Sequence, residues 1–255
     1  MSAIFFNTAA GHRLIDGAHL VPEFIGKVTL NPTPSVSNDG AESSYLTHRY
    51  IGALPATNGR PYMVLWTLPA SEADVWWWTQ DQYGLPGSGL AYAGITAFHA
   101  ASTPAPSIMP EAYVFSLGPV EISTAPMAVR LWNPDTHELV FDSGKLHLAL
   151  QQVAAGIAIG ATASTVVLSA PPAKPAFLMP SASRRREKYD RPNNRSDFTE
   201  WLGCYRRTGA SITSRLVEVR NEERVPRQST SYFEDQTYGN TSGLVLPVID
   251  STLYE

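Results

Sequence analysis

Cysteine is almost missing from this chain, and that shortage limits how the fold can be held together. Cys204 is the only cysteine in 255 residues, so no disulfide can form within one chain. Stability therefore has to come from packing or from assembly with other subunits. Because no recognisable histidine partner accompanies this thiol, we expect Cys204 to be buried and not to act as a nucleophile.

Recognisable catalytic and metal-binding motifs are missing as well. The six histidines, at positions 12, 19, 48, 99, 137 and 147, do not pair at metal-ligand spacing, and there is no HExxH, P-loop, GxGxxG or GxSxG sequence. We therefore expect no metal, no cofactor and no enzymatic activity. Glu72, Asp74 and Asp81 lie near a tryptophan cluster and keep glycan cleavage open as an alternative, since paired carboxylates beside an aromatic surface are a glycosidase arrangement.

Charge is scarce too. Charged residues make up 16% of the sequence, below the ~25% of ordinary soluble domains. This composition is typical of a protein whose surface is largely covered by neighbouring subunits, and it predicts a homo-oligomer. Twenty prolines and eighteen glycines divide the chain into short segments, which favours many short strands over long helices. With 44% hydrophobic residues available for a core, we predict a mainly β fold with a β-sandwich-like body.

No hydrophobic run has the composition of a membrane span. Residues 153–170 carry no charge, but alanine, glycine, serine and threonine dominate them, and Pro171-Pro172 follows in place of a basic flank. Small polar residues offset most of the gain from placing leucine, isoleucine and valine in a bilayer. We predict two buried strands here instead, near 153–159 and 164–169. The N-terminus lacks the basic and apolar regions of a secretory leader, so we expect synthesis in a cytoplasm.

One short sequence motif, called the phrase below, occurs twice in the chain. The copies read Ile4-Phe5-Phe6-Asn7, a gap, then His12-Arg13-Leu14-Ile15-Asp16, and Val129-Arg130-Leu131-Trp132-Asn133, a gap, then His137-Glu138-Leu139-Val140-Phe141-Asp142. The two asparagines are 126 residues apart, and in both copies the closing aspartate follows the asparagine by nine residues. Aromatic and β-branched residues fit a pleated strand, while the Asn, Pro, Asp and Gly between them supply turns. We predict two similar β-hairpins, at 4–16 and 129–142.

The second copy, continued through Ser143 to Gly144, resembles a hairpin phrase of small phage tail and virion structural proteins. The first copy departs from that phrase, because Ile15-Asp16-Gly17 lacks the aromatic residue before the aspartate. The resemblance is confined to these two short segments and brings no catalytic residues with it. It implies a structural component of a bacteriophage virion, of the tail-tip, baseplate or tail-fibre attachment type. The implied partners are other virion tail proteins, and the implied location is the virion, after synthesis in the cytoplasm of the host bacterium.

A change of composition near residue 175 divides the chain. The proline-rich connector at 171–180 has the composition of a linker. We therefore predict a β-rich body at 1–174, holding both hairpins, and an extended, mostly irregular arm at 175–255.

The arm is predicted to contact neighbouring subunits. Its residues 181–227 hold 12 basic and 7 acidic groups, a net charge of +5. Nucleic-acid-binding domains carry fewer interspersed acids, so we expect no nucleic acid as a partner. A compact apolar patch near the chain end is expected to dock on another surface. The predicted contact residues are Arg184, Arg185, Arg186, Leu244, Val245 and Leu246.

Local patterns predict ten strands in the body and little helix. The strands are expected at 4–7, 13–15, 24–30, 45–51, 61–68, 90–97, 112–117, 128–132, 139–142 and 145–152. Ser71 is an acceptable N-cap with acids in the following turn, so we predict a helical turn at 71–78. In the arm, we predict a short helix at 197–202 and a strand at 211–220.

Three tryptophans in a row form the most conspicuous aromatic cluster. Trp76, Trp77 and Trp78 are adjacent, with Tyr83 close by, and three consecutive indoles cannot all face one way on a strand or a helix. An outward-facing indole stacks on a sugar ring or anchors a protein interface, whereas the simplest alternative is that the cluster fills the core. These residues keep a second function open for the chain, a glycan- or receptor-binding β module of a host-recognition apparatus.

Overall fold

Antiparallel β-strands account for nearly all of the regular structure, and one turn of 3₁₀ helix is the only helical element among the residues described. The computed structural model describes residues 6–7, 13–15, 21–33, 45–72, 74–80, 83–84, 92–100, 102–179, 184–191, 195–226, 236–238 and 244–255.

Twenty strands lie within the described residues. In chain order they are β1 (Phe6–Asn7), β2 (Arg13–Ile15), β3 (Glu23–Val28), β4 (Asn31–Thr33), β5 (Tyr45–Ala53), β6 (Tyr62–Thr67), β7 (Trp76–Gln80), β8 (Tyr83–Gly84), β9 (Tyr92–Ala100), β10 (Glu111–Ser116), β11 (Arg130–Trp132), β12 (Leu139–Asp142), β13 (Leu150–Ile157), β14 (Ser164–Val167), β15 (Pro175–Phe177), β16 (Arg184–Arg191), β17 (Arg195–Thr208), β18 (Ser211–Pro226), β19 (Gln236–Tyr238) and β20 (Leu244–Asp250). The 3₁₀ helix, Ser251–Tyr254, follows β20 directly.

The first sheet has the strand order β13-β20-β15-β6-β10-β3, with β8 paired to β6. Its central strands are apolar along most of their length because both of their faces are covered. Val64 and Val114 are opposite each other in register and belong to the main core, whereas Leu65 and Tyr113 pack in a second apolar cluster. Tyr254 of the 3₁₀ helix completes this second cluster.

The second sheet has the strand order β14-β18-β17-β7-β9-β5-β4, with β16 attached to β17 and β19 attached to β16. The hairpin β17–β18 is the longest pair of strands, and its register runs from Thr208 opposite Ser211 to Arg195 opposite Pro226. Its tight turn contains Gly209 at a φ of +55°, a left-handed conformation that glycine adopts without steric cost.

The two sheets pack face to face, and the main core lies between them. Trp66, Val114 and Phe177 enter it from the first sheet, while Trp77 and Ile95 enter it from the second, and each is at most 1% exposed. Two antiparallel sheets that share one apolar core in this way form a β-sandwich. The predicted mainly β, sandwich-like fold is confirmed.

Both predicted helical segments are wrong. Trp76–Gln80 is the strand β7, and residues 197–202 lie within β17. Ser71 does lie in a turn, but from Val75 onward β-branched and aromatic side chains favour a strand. β7 is also paired on both edges, to β9 and to β17. This pairing outweighs one capping signal, because a short isolated helix is only marginally stable.

The uncharged segment 153–170 contains two strands, as predicted, but the expectation that both are buried is wrong. β13 ends the first sheet and β14 ends the second, and both carry several exposed side chains. Leu150 (54% exposed), Val153 (45%) and Val167 (67%) lie open at these sheet edges, so an uncharged composition does not require burial.

The residues at 175–255 share both sheets with the residues at 1–174. β15 and β20 lie between β13 and β6 in the first sheet, and β17 and β18 lie between β7 and β14 in the second. Pro175, in the middle of the proline-rich connector, is itself the first residue of β15, a strand position that tolerates proline. The sandwich therefore needs strands from both sides of the predicted boundary.

Candidate functional site

The second predicted hairpin is present as a separate two-stranded sheet, β11–β12. The Oδ1 atom of Asn133 accepts hydrogen bonds from the backbone N–H of Asp135 at 2.8 Å and of Thr136 at 3.1 Å. His137 closes the turn at a φ of +60° and donates its backbone N–H to the carbonyl of Asn133. The asparagine of the repeated phrase therefore organises the turn, as an Asx turn does.

The aspartate of the phrase fastens the hairpin to the chain before it. Asp142 is fully buried, and its carboxylate accepts from the backbone N–H of Ser123 at 2.9 Å and from the Ser123 hydroxyl at 3.0 Å. It also accepts from the backbone N–H of Gly144 at 2.8 Å and forms an ion pair with Arg130 at 3.0 Å. Burial alone would raise the pKa of Asp142, but these bonds outweigh it and hold the pKa well below its usual range.

The two residues after Asp142 complete this attachment. Ser143 accepts the backbone N–H of Val129 on its hydroxyl at 2.8 Å and donates its own N–H to the Val129 carbonyl at 2.9 Å. A Cβ atom added to Gly144 would lie 2.2 Å from the Ser123 hydroxyl oxygen, so this close approach requires glycine. Each residue of Asp142-Ser143-Gly144 thus has a defined contact that holds the hairpin in place.

The hairpin is anchored to the sandwich at the β3 edge of the first sheet. Lys145 forms an ion pair with the buried Glu23 at 3.2 Å, and the backbone N–H of Phe24 donates to the Leu146 carbonyl at 2.8 Å. The Nε2–H of His147 donates to the backbone carbonyl of Asp142 at 2.9 Å, which requires a tautomer that carries hydrogen on that nitrogen. These contacts leave the hairpin little freedom to move relative to the sandwich.

This anchored hairpin and its flanks carry a group of exposed apolar side chains, which we call the hairpin surface. Its members, with the exposed fraction of each, are Ile122 (60%), Met127 (91%), Val129 (50%), Trp132 (49%) and Leu146 (52%). Leu131, Leu139 and Val140 of the same hairpin are buried, each at most 6% exposed. Several large exposed apolar side chains on one anchored element are typical of a protein–protein contact.

The first predicted hairpin is also present, as the two-stranded sheet β1–β2. Phe6 is opposite Ile15 and Asn7 is opposite Arg13. In β11–β12, by comparison, Trp132 is opposite Leu139, so the two hairpins differ in register. Asp16, the counterpart of Asp142, lies outside the described residues.

The three tryptophans alternate across β7 and are largely covered. Trp77 is 0% exposed in the core between the sheets, and Trp76 is 4% exposed in a cluster that also contains Phe98 and Cys204. Trp78 is half-buried against that same cluster. Trp77 thus lies on one face of the second sheet and Trp76 and Trp78 on the other, so the three indoles do not form one exposed platform. Tyr83 lies in β8, and its side chain is outside the described part of the structure.

The predicted arm residues lie in two strands. Arg184, Arg185 and Arg186 belong to β16, between β17 and β19, and their side chains are outside the described part. In β20, the three apolar residues alternate: Leu244 and Leu246 are buried in the main core, whereas Val245 is 50% exposed. Two of these three residues are therefore part of the chain's own core.

A groove of about 360 Å³ lies between β5, β16, β17 and β18, and no sequence pattern predicted it. Its lining includes Tyr45, Glu187, Trp201, Arg215 and Glu218. These residues come from distant parts of the sequence and follow no common spacing, so no local signal could have identified them. Cys204, by contrast, is buried as expected.

Metal sites and membrane-spanning helices can also be assessed for the described residues. Within them, no three or more histidine, cysteine, aspartate or glutamate side chains are grouped so that they could hold a metal ion. No helix in that part of the chain is long and apolar enough to span a membrane. Comparison with protein-family models, curated proteins and solved structures finds no match for the chain.

Proposed function

We propose that this chain is a non-enzymatic structural component of a bacteriophage virion, at the tail tip, the baseplate or a tail-fibre attachment point, and that it acts by subunit assembly. Its partners are other virion tail proteins and further copies of itself. It is made in the cytoplasm of the host bacterium and resides in the virion.

The hairpin surface is the observation that carries this proposal. A contact element gains most from association when it is already ordered, because less conformational entropy is lost on binding. The buried Asp142 carboxylate and the turn at Asn133 provide that order. Exposed side chains such as Met127 and Trp132 provide apolar area that a neighbouring subunit can cover.

Two features of the sequence support the same function. The residues that order this hairpin are those of the phrase that resembles phage tail and virion proteins, ending in Asp142-Ser143-Gly144. The low charge of the chain, 16% of residues, favours a surface covered by neighbours over one exposed all round.

Particle composition tests the location. Virions released by the host that carries the gene would be purified by density gradient, analysed by mass spectrometry and labelled with gold-conjugated antibody to the recombinant chain. We expect the chain in the purified particles and the gold at the tail. Particles that are infectious but lack the chain would overturn the proposal.

A pair of charge substitutions tests the assembly surface. We expect Met127→Glu with Val129→Glu to lower the mass measured by size-exclusion chromatography with light scattering, because two charges would have to be desolvated in the contact. Ser169→Glu with Ala170→Glu is the matched control, since both residues are exposed and lie outside the hairpin surface. Equal masses for both variants and the unchanged chain, at every concentration, would exclude this surface as the contact.

A further inference from the structure

The groove between β5 and β16–β18 contains a guanidinium group held in a defined position. The Cζ atom of Arg215 lies 4.4 Å from the centroid of the Trp76 ring, and one of the terminal nitrogens of Arg215 donates to the hydroxyl of Tyr45. Trp76 also stacks against Arg206, whose Cζ atom lies 4.6 Å from the ring centroid. Stacking on an indole and a hydrogen bond to a phenol restrict the guanidinium without neutralising its charge.

No carboxylate of the described residues forms an ion pair with Arg215. Its Nε atom is buried and has no hydrogen-bond partner within that part of the chain. A half-buried arginine whose charge has no carboxylate partner among the described residues is costly to maintain, because its lost hydration is not replaced. An external anion on the terminal nitrogens of Arg215 would supply that partner, whereas the buried Nε atom is out of its reach.

The rest of the groove limits what this acceptor belongs to. Glu187 and Glu218 line the same groove, and their charges disfavour a ligand that is anionic along its whole length, such as a nucleic acid. Carboxylates accept hydrogen bonds, so they suit a ligand that presents several hydroxyl groups. Tyr45 and Trp201 supply aromatic surface, which is suited to the apolar face of a sugar ring.

We infer that this groove binds an acidic sugar, with the sugar's carboxylate on Arg215 and its hydroxyl groups toward Glu187 and Glu218. The groove, at about 360 Å³, lies within the range of small-molecule sites. This site is separate from the hairpin surface and does not depend on the assembly function.

The test is a titration of the full chain, followed by amide NMR shifts, with methyl glucuronide, methyl glucoside and inorganic phosphate as probes. For a ligand of about 14 non-hydrogen atoms, ordinary ligand efficiency gives a Kd of about 1 mM. We expect methyl glucuronide to bind in that range and the neutral glucoside to bind at least about tenfold more weakly, since a charge-assisted pair with arginine is lost.

Variants locate the binding on this arginine. Arg215→Gln is expected to weaken glucuronide binding about tenfold or more and to leave glucoside binding unchanged. Arg49→Gln is the matched control, because Arg49 is exposed on the same strand as Tyr45, four residues away. Tyr45→Phe keeps the ring and removes only the hydroxyl that positions Arg215, so it provides a second test if Arg215→Gln does not fold.

Three results would overturn the inference. The first is equal binding of glucuronide and glucoside, or no binding of either. The second is glucuronide binding that survives both Arg215→Gln and Tyr45→Phe. The third is phosphate binding as tight as glucuronide binding, which would show a simple anion site.

Discussion

Replacing the buried Asp142 by asparagine tests whether the closing aspartate of the phrase holds the hairpin in place. The substitution keeps the shape of the side chain and converts one carboxylate oxygen into an NH₂ group. The backbone N–H of Gly144 points at Oδ1, while the backbone N–H of Ser123 and the side-chain Nε–H of Arg130 point at Oδ2. An NH₂ group in either place therefore faces at least one N–H donor that cannot turn away.

The cost can be worked out from these contacts. One backbone hydrogen bond to a charged group is lost, which is worth about 1.5–3 kcal/mol. The ion pair with Arg130 is weakened as well, and because that side chain is 31% exposed its loss adds at most about 1 kcal/mol. We expect the Asp142→Asn change to lower the free energy of unfolding of the hairpin by about 3 kcal/mol.

Urea denaturation and amide hydrogen exchange measure this cost. The amides of Ser123 and Gly144 donate to the carboxylate, so their protection should fall first if the hairpin opens before the sandwich unfolds. Asp135→Asn is the control, since Asp135 is exposed in the turn of the same hairpin and should change stability by less than about 0.5 kcal/mol. Unchanged protection in Asp142→Asn, with stability equal to that of the control, would refute the role given to this carboxylate.

Acid should produce the same opening in the unchanged chain. The pKa of Asp142 is lower in the folded chain than in the unfolded one, so its ionised form stabilises the fold. This contribution is present in full above about pH 5 and falls progressively below about pH 4, the range where an ordinary aspartate in the unfolded chain takes up a proton. Protection of the Ser123 and Gly144 amides should therefore decline on acidification, and this decline should be absent in Asp142→Asn.

Three further predictions concern the sandwich itself. Gly52→Ala should destabilise the chain by about 1–3 kcal/mol or more, because the added Cβ would lie 2.3 Å from a side-chain carbon and 2.4 Å from a carbonyl oxygen. Gly94→Ala on the adjacent strand is the control, since its added Cβ meets nothing closer than 3.7 Å. Equal urea midpoints for the two variants would contradict this prediction. Trp77→Ala should cost about 3–5 kcal/mol as a core truncation, while Trp132→Ala, at a side chain 49% exposed, should leave the melting temperature nearly unchanged. Burial raises the pKa of the Cys204 thiol, so Cys204 should react with a thiol reagent only as fast as the chain unfolds, and rapid labelling of the native chain would be inconsistent with its burial.

Local chemistry made the class of fold and both hairpins predictable from the sequence. The turn at Asn133 depends on a side chain that bonds its own backbone two and three residues on, and such contacts are encoded within a few residues. Alternating or continuous apolar runs likewise identified most strands before their partners were known. The buried state of Cys204 followed from its chemistry alone.

The helical turn predicted at 71–78 is wrong because long-range strand pairing outweighs the local sequence signal there. Its cap signal is real, but the conformation of Trp76–Gln80 is decided by the strands that pair with it on either side, β9 and β17. Those partners are distant in the sequence, and a local pattern carries no information about them.

Tertiary structure alone decided which side chains meet. The sequence contained the repeated phrase, the tryptophan row and the apolar residues of β20, yet it could not show that Asp142 closes on Ser123, nor that Trp77 lies between the sheets. It likewise could not place Tyr45 beside Arg215, which are 170 residues apart. The physical reason is that turns and strands arise from neighbouring residues, whereas a sandwich core, an anchored carboxylate and a groove arise from long-range strand pairing.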